Sequence, residues 1–305
     1  MWPSRVIQKE LGCITREAVI MDVEPFGPGS MHWDTAGEYR NLLVAGSALV
    51  LQTMHPAVGA AVAEHSTYKD DPWGRLERTL TSVQLWVYGG EDGPAEGQRL
   101  RELHKPISGV DEQGRHYHAL NGEAWAWVHL SLFERFIALN RHFGTPFTRE
   151  QERRLYAESR QLGAILRVPE REMPEDVDAF WRYFERMVGD RLEPHATALD
   201  VLSVMRGTPA PPRLPAPLRR LWTPVGAGAG EFNYFVTVGT LPPAVREKLG
   251  LRWTARDERR LRQLGHAVAM LTPRLPERLR YMPIAYQARR AERNARRRRM
   301  ERMPA

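Results

Sequence analysis

Between Asn41 and Ala63 the chain runs NLLVAGSALVLQTMHPAVGAAVA without one charged residue. The segment has the length to cross a bilayer, but Gln52, His55 and Pro56 interrupt its middle and no other segment resembles it. An apolar helix with no polar face belongs at the centre of a large helical core, with Pro56 kinking or restarting it.

The segments around it read as helices too. Pro72 and Gly74 mark a turn ahead of a helix-forming stretch. Gln98 to Ile107 places Leu100, Leu103 and His104 on one side, and SGVDEQGRHY after it reads as a polar turn. Gly122 to Gly144 has apolar residues at helical spacing and a terminal glycine. EQERRLYAESRQLGAILRV stops before Pro169, and the next helix opens with Pro174 and a run of acids. RGTPAPPRLPAPLRR is an extended connector, and PPAVREKLGL and ARDERRLRQLGHAVAMLTPRL are two final helices. NYFVTVG is the best of a few weak alternating patterns. The expectation is an all-α protein: an N-terminal extension over 1–29, a single large helical domain over 30–288, and a basic tail over 289–305.

Composition narrows this picture in three places. Hydrophobic residues make up 42% and charged residues 27%, which is ordinary globular composition. The net charge of +7 comes from arginine, concentrated in RRAERNARRRRMER near the C-terminus. Like charges so closely spaced repel, so that tail reads as solvated rather than as a nucleic-acid binder. Cys13 is the only cysteine, which excludes an internal disulfide, a cysteine zinc site and covalent c-type haem attachment. No secretory signal pattern precedes the helices, so a cytoplasmic location without stable membrane insertion is expected.

The chain carries no Walker loop, no His-Glu-x-x-His and no Gly-x-Ser-x-Gly. GAGAG at 226–230 follows no strand, and the HYH of 116–118 reads as a surface pair in a polar loop. Two features hold more chemistry. In DPWGRLERTL, Arg75, Arg78 and Thr79 fall at i, i+3 and i+4, which puts them on one helix face as a receptor for an anion or as a solvated surface. His55, His104 and His129 each sit among apolar residues on expected core helices. A lone histidine there is ordinarily a core residue with one satisfied nitrogen. Three of them in an all-α chain weaken that reading for the set: an imidazole in an apolar helical pocket is how haem iron is usually held, and haem propionates are anions of the kind such arginines could bind.

LVLQTMHPAVGAAVAEHSTYKDDPWGRLERT, then LHKPISG, then YHALNGEAWAWVHLSLFE resemble, in that order, the domain shared by latex clearing protein and MpaB-type oxygenases. LPPAVREKLGL and RLRYMPIAYQARRA are similar to the C-terminal part of that family, so the resemblance spans about residues 30–290. It implies an all-α fold enclosing non-covalent haem b, with His104 as the proximal iron ligand. Arg75 and Thr79 would support the haem, with His129 and His55 lining the pocket. Arg78 stands where the rubber-oxygenase branch has a lysine, and a guanidinium is a very poor iron ligand; a lysine-capped iron is therefore not expected. Glu64 is the candidate distal base by residue type alone. The implied activity is oxidation of a small apolar or prenyl-like substrate by dioxygen or peroxide. A non-catalytic haem protein for sensing, storage or electron transfer is the competing reading, and a metal-free helical scaffold the third.

Overall fold

In the computed structural model the described residues are 24–301, apart from 208, 213, 216–218 and 220–221. Cys13, most of the N-terminal extension, part of the proline-rich connector and residues 302–305 thus lie outside them.

The uncharged segment divides. The first helix, α1 (Met31–Thr35), is capped by Ser30 and precedes α2 (Leu42–Thr53) and α3 (Pro56–His65). His55 is extended, at φ −73° and ψ 126°, and Pro56 starts the new helix, where its missing N–H has no intrahelical partner to lose. The result is a bend of 106° between the two. No single helix among the described residues is long and apolar enough to cross a membrane.

Two helices carry the arginine motif and its histidine. α4 (Pro72–Tyr88) starts at the Asp71 side chain, which accepts from the Gly74 N–H. α5 (Gly93–His104) packs against it after a short connection and ends on His104. The expected polar turn is instead a hairpin: β1 (Ser108–Val110) pairs antiparallel with β2 (His116–His118). Asp111 Oδ1 accepts from the Gln113 and Arg115 N–H groups, and Gly114 takes a φ of 77° that a side chain would disfavour. Only one residue of the second strand points inward, so no alternation was available to reveal it.

The centre is α6 (Gly122–Phe143), capped by Asn121. α7 (Arg149–Ile165) starts with a capping box of Thr148 and Gln151, and α8 (Val177–Arg186) leads into a π-turn over Met187–Arg191. α9 (Ala196–Arg206), α10 (Trp222–Thr240) and α11 (Pro243–Lys248) follow. α12 (Ala255–Leu271), the short α13 (Glu277–Arg280) and α14 (Pro283–Glu301) complete the chain. NYFVTVG lies inside α10, not in a strand. Val236, Thr237 and Val238 are all buried there, and burial against helices on both sides overrides their β preference.

Among the described residues the protein is all-α apart from that hairpin. α2 packs against α6, α9 and α10, and Val50, Leu51, Met54, Trp127, Phe133 and Phe180 fill the space between helices. Arg135 ties three of them together: its Nη1 donates to Ser47 Oγ at 2.9 Å and to the Thr240 carbonyl at 2.8 Å, while the guanidinium pairs with Glu134. The sequence boundary at 289 falls within α14. Arg289 stacks on Tyr281 at 4.2 Å and donates to the Trp33 carbonyl at 3.2 Å, so the start of the expected solvated tail is packed on the body.

Candidate functional site

His104 is the last residue of α5. Its Nδ1 lies 2.7 Å from the Leu100 carbonyl oxygen, one turn earlier. A carbonyl only accepts, so the ring proton is on Nδ1, and in the neutral ring Nε2 keeps its lone pair. Nε2 has no protein partner among the described residues. The ring is held from the side by Trp125, edge to face at 5.2 Å, and Trp125 is itself fixed by donating to the Leu166 carbonyl at 3.0 Å. Burial holds His104 below the ordinary histidine value; the Leu100 bond opposes this and the Arg75 and Arg99 guanidiniums add to it. The site therefore presents a neutral imidazole with a fixed tautomer.

Arg75, one turn into α4, donates to Thr79 Oγ1 and, at 3.4 Å, to Ser66 Oγ. Thr79 in turn donates to the Arg75 carbonyl at 2.9 Å. Among the described residues Arg75 has no carboxylate partner, although it is half-buried and its pKa is lowered by that burial and then by Arg78. A desolvated cation with two neutral acceptors is incompletely compensated.

Arg78 does not join it. It is exposed, with Nη1 3.3 Å from Asp71 Oδ2 and Nη2 3.2 Å from Thr67 Oγ1. The expectation of three convergent groups is thus corrected to two: the cap of α4 supplies a carboxylate that draws Arg78 outward.

The other sequence candidates fall into separate clusters. Buried His55 puts Nε2 3.2 Å from Glu123 Oε1, which also receives Arg191 from the π-turn. Its Nδ1 is buried without a partner among the described residues. Burial lowers its pKa, with Glu123 opposing. Glu64 accepts a short bond from the Tyr117 hydroxyl, which lies 3.2 Å from His65 Nε2. Burial and Glu64 push that hydroxyl up to about 12. This cluster ends next to Ser66, the residue that holds Arg75. His129 donates through Nε2 to the Ser159 carbonyl at 2.8 Å. It lines, with His32, Trp86, Phe133 and Phe136, a cavity of about 20 Å³, which holds no more than a water. His129 therefore sits as a core histidine with one satisfied nitrogen, and neither His129 nor His55 is grouped with Arg75 and Thr79. His116 and His118 are exposed.

Sequence reasoning missed Trp125, Ser66, Tyr117 and the Leu100 carbonyl. Leu100 was findable, because i−4 from a helical histidine is the standing acceptor position; the others depend on how distant segments meet. Among the described residues no three His, Cys, Asp or Glu side chains are arranged to hold a metal ion. A porphyrin asks less of the protein, since it brings four of the iron's ligands itself and needs a single axial histidine.

Among the described residues the site thus joins a His104 Nε2 without a partner to an Arg75 without a carboxylate, on an almost wholly helical body. Residues 33–297 match the family described as ER-bound oxygenase mpaB/B′/Rubber oxygenase, catalytic domain, and the chain belongs to that family. It is also 27% identical over 243 residues to an uncharacterized protein of Mycobacterium bovis and to one of Mycobacterium tuberculosis, covering 78% of this chain and 91% of each relative. No solved structure matches it.

Proposed function

We propose that the protein is a haem b-dependent oxygenase that uses dioxygen or peroxide on a small apolar or prenyl-like substrate. The observation that carries the reading is His104: a neutral imidazole, its tautomer fixed by Leu100, with Nε2 free beside an arginine that lacks a counter-ion. These residues fit a haem. His104 would hold the iron through Nε2, and Arg75, with Thr79 aligning its guanidinium, would hold a propionate by charge-assisted hydrogen bonds. When bound, the haem supplies the redox chemistry that activates the oxidant.

The chain's own residues set the conditions around it. Leu100 holds the proton on His104 Nδ1, and Trp125 stops the ring from turning. Arg78, engaged with Asp71 and Thr67, contributes positive potential from the solvent side and no iron ligand. Tyr117 holds a proton at its hydroxyl between Glu64 and His65, one residue from the Arg75 partner Ser66. An electron carrier ordinarily fills both axial positions with protein groups. Here His129 Nε2 is engaged with Ser159 and His55 Nε2 with Glu123, which favours the oxygenase over the carrier.

The test is the absorption spectrum of the purified chain with and without added haemin, beside His104→Ala. The expected result is a Soret band in the parent, displaced and weakened in the variant, and oxygen consumption with a prenyl-chain substrate only in the parent. A parent that takes up no haemin overturns the reading.

A further inference from the structure

The charge is unevenly shared along the chain. Residues 252–305 contain sixteen arginines and five acids, so the preceding 251 residues are net acidic within a total of +7. The same stretch contains a concentration of exposed large apolar side chains. Met270 is 47% exposed, Leu271 60%, Leu275 43% and Leu279 54%, all within ten residues across the end of α12, a 3-10 turn and α13. α13 packs against the 3-10 turn at Tyr39–Asn41, and Tyr39 is a further exposed aromatic, at 43%.

Arg274 and Arg278 interleave with these residues. Both are exposed; Arg274 donates only to the Met270 carbonyl, and Arg278 has no partner among the described residues. The remaining arginines of this region show a division of labour. Arg280, Arg289 and Arg293 are bound to Glu38, Asp34 and Glu277, which fixes α13 and α14 to the body. Arg297, Arg298 and Arg299 at the far end of α14 are exposed and carry no ion pair among the described residues.

Leucines and a methionine standing in solvent between unpaired arginines are a costly arrangement for a surface that meets only water. A nucleic-acid site pairs its cations with aromatic stacking platforms or polar base readers, whereas here four aliphatic side chains accompany the one aromatic, Tyr39. A lipid surface matches both halves: apolar side chains enter the headgroup boundary while guanidiniums meet anionic headgroups. We infer that the Met270–Leu279 turn, with Tyr39 and Arg278, is a peripheral docking surface for an anionic membrane. This inference does not rest on the haem reading.

Flotation of the full chain with phosphatidylcholine vesicles, with and without 30% phosphatidylserine, tests it. Binding is expected to the anionic vesicles, weakened by raising salt from 0.1 to 0.5 M because surface charges are screened. Leu271→Glu and Leu279→Glu are each expected to lower partitioning by about tenfold, the loss of one partly buried leucine. Both sites are exposed, so unchanged far-UV circular dichroism checks that the fold survives. Equal binding by the parent and the glutamate variants overturns the inference. So does a parent dimer in sedimentation that the glutamate variants abolish without vesicle binding, which would assign the patch to a second copy. Binding to single-stranded DNA in place of vesicles overturns it as well.

Discussion

His104 Nδ1 and the Leu100 carbonyl oxygen are 2.7 Å apart within one helix turn. This contact decides which nitrogen of His104 is available, because a proton on Nδ1 leaves the lone pair on Nε2. A ligand histidine that lacked such a partner would divide between tautomers and lose orientation. Replacing His104 by alanine removes the axial bond itself. The expected outcome is loss of the parent Soret spectrum and of haem occupancy after gel filtration. Full occupancy with an unchanged spectrum would take His104 out of this role.

Arg75→Ala removes the cation that has no carboxylate partner. Hydrogen bonds to charged groups contribute about 1.5–3 kcal/mol, so haem retention is expected to weaken by roughly one to two orders of magnitude. Competition with apomyoglobin for haem measures it. Arg78→Lys gives the opposite expectation: the exposed side chain sits with Asp71 and Thr67, so spectra from neutral to alkaline pH stay as in the parent. A new low-spin spectrum at high pH would show that residue 78 reaches the iron.

His32 and His129 are fully buried, with pKa values lowered to about 3 and about 4 by burial. Both are neutral in the folded protein near neutral pH, whereas in the unfolded chain they take up protons near pH 6.5. The unfolded state thus binds more protons below that value. Stability is complete above about pH 6.5 and falls as the pH drops toward 4, by up to about 1.4 kcal/mol per pH unit per histidine. Urea unfolding at pH 7.5, 5.5 and 4.5 measures the slope, and His129→Gln is expected to flatten it.

Arg135→Met leaves Glu134 buried without its partner, and breaks the links to Ser47 and Thr240. Removing one member of a buried pair costs about 3–5 kcal/mol. A fall in the urea midpoint of that size is expected, and a variant as stable as the parent would show that the pair is dispensable.

Truncation separates two parts of α14. A chain ending at Asn294 keeps Arg289 on Tyr281 and Arg293 on Glu277, and its melting temperature is expected to match the parent. A chain ending at Ala288 loses both contacts and is expected to melt several degrees lower. Equal melting of the two chains would return residues 289–293 to solvent.

What the sequence made legible follows from how local each signal is. Pro72 and Gly74 announce the start of α4, and helical apolar spacing from Gly122 to Gly144 announces α6, because both signals involve residues within about a turn of one another. His104 was legible because its own helix positions it. Arg78 was misjudged because helical spacing says which residues share a face, not which of them an upstream cap will draw away; Asp71 decided that. His129 and His55 were correctly expected to be buried, yet their partners, Ser159 and Glu123, lie 30 and 68 positions along the chain. No pattern within a helix encodes such a pairing. The family's motif order reached further than the physics of any single segment: its span of about residues 30–290 agrees with the match over 33–297.

The hydroxyls of Ser47 and Thr240 meet at 3.0 Å across 193 positions of chain. α2, which has no charged residue, is thereby covered by a helix that the ribosome makes much later. At about 5–20 residues per second, the nascent chain waits on the order of 10–40 s for α10. During that interval its most apolar segment has the 3-10 turn at Tyr39–Asn41, α3, α6 and, late, α9 to shelter against. Slowing translation after residue 206 is therefore expected to lengthen the exposure of α2, and co-expressed chaperones to raise the yield of folded chain.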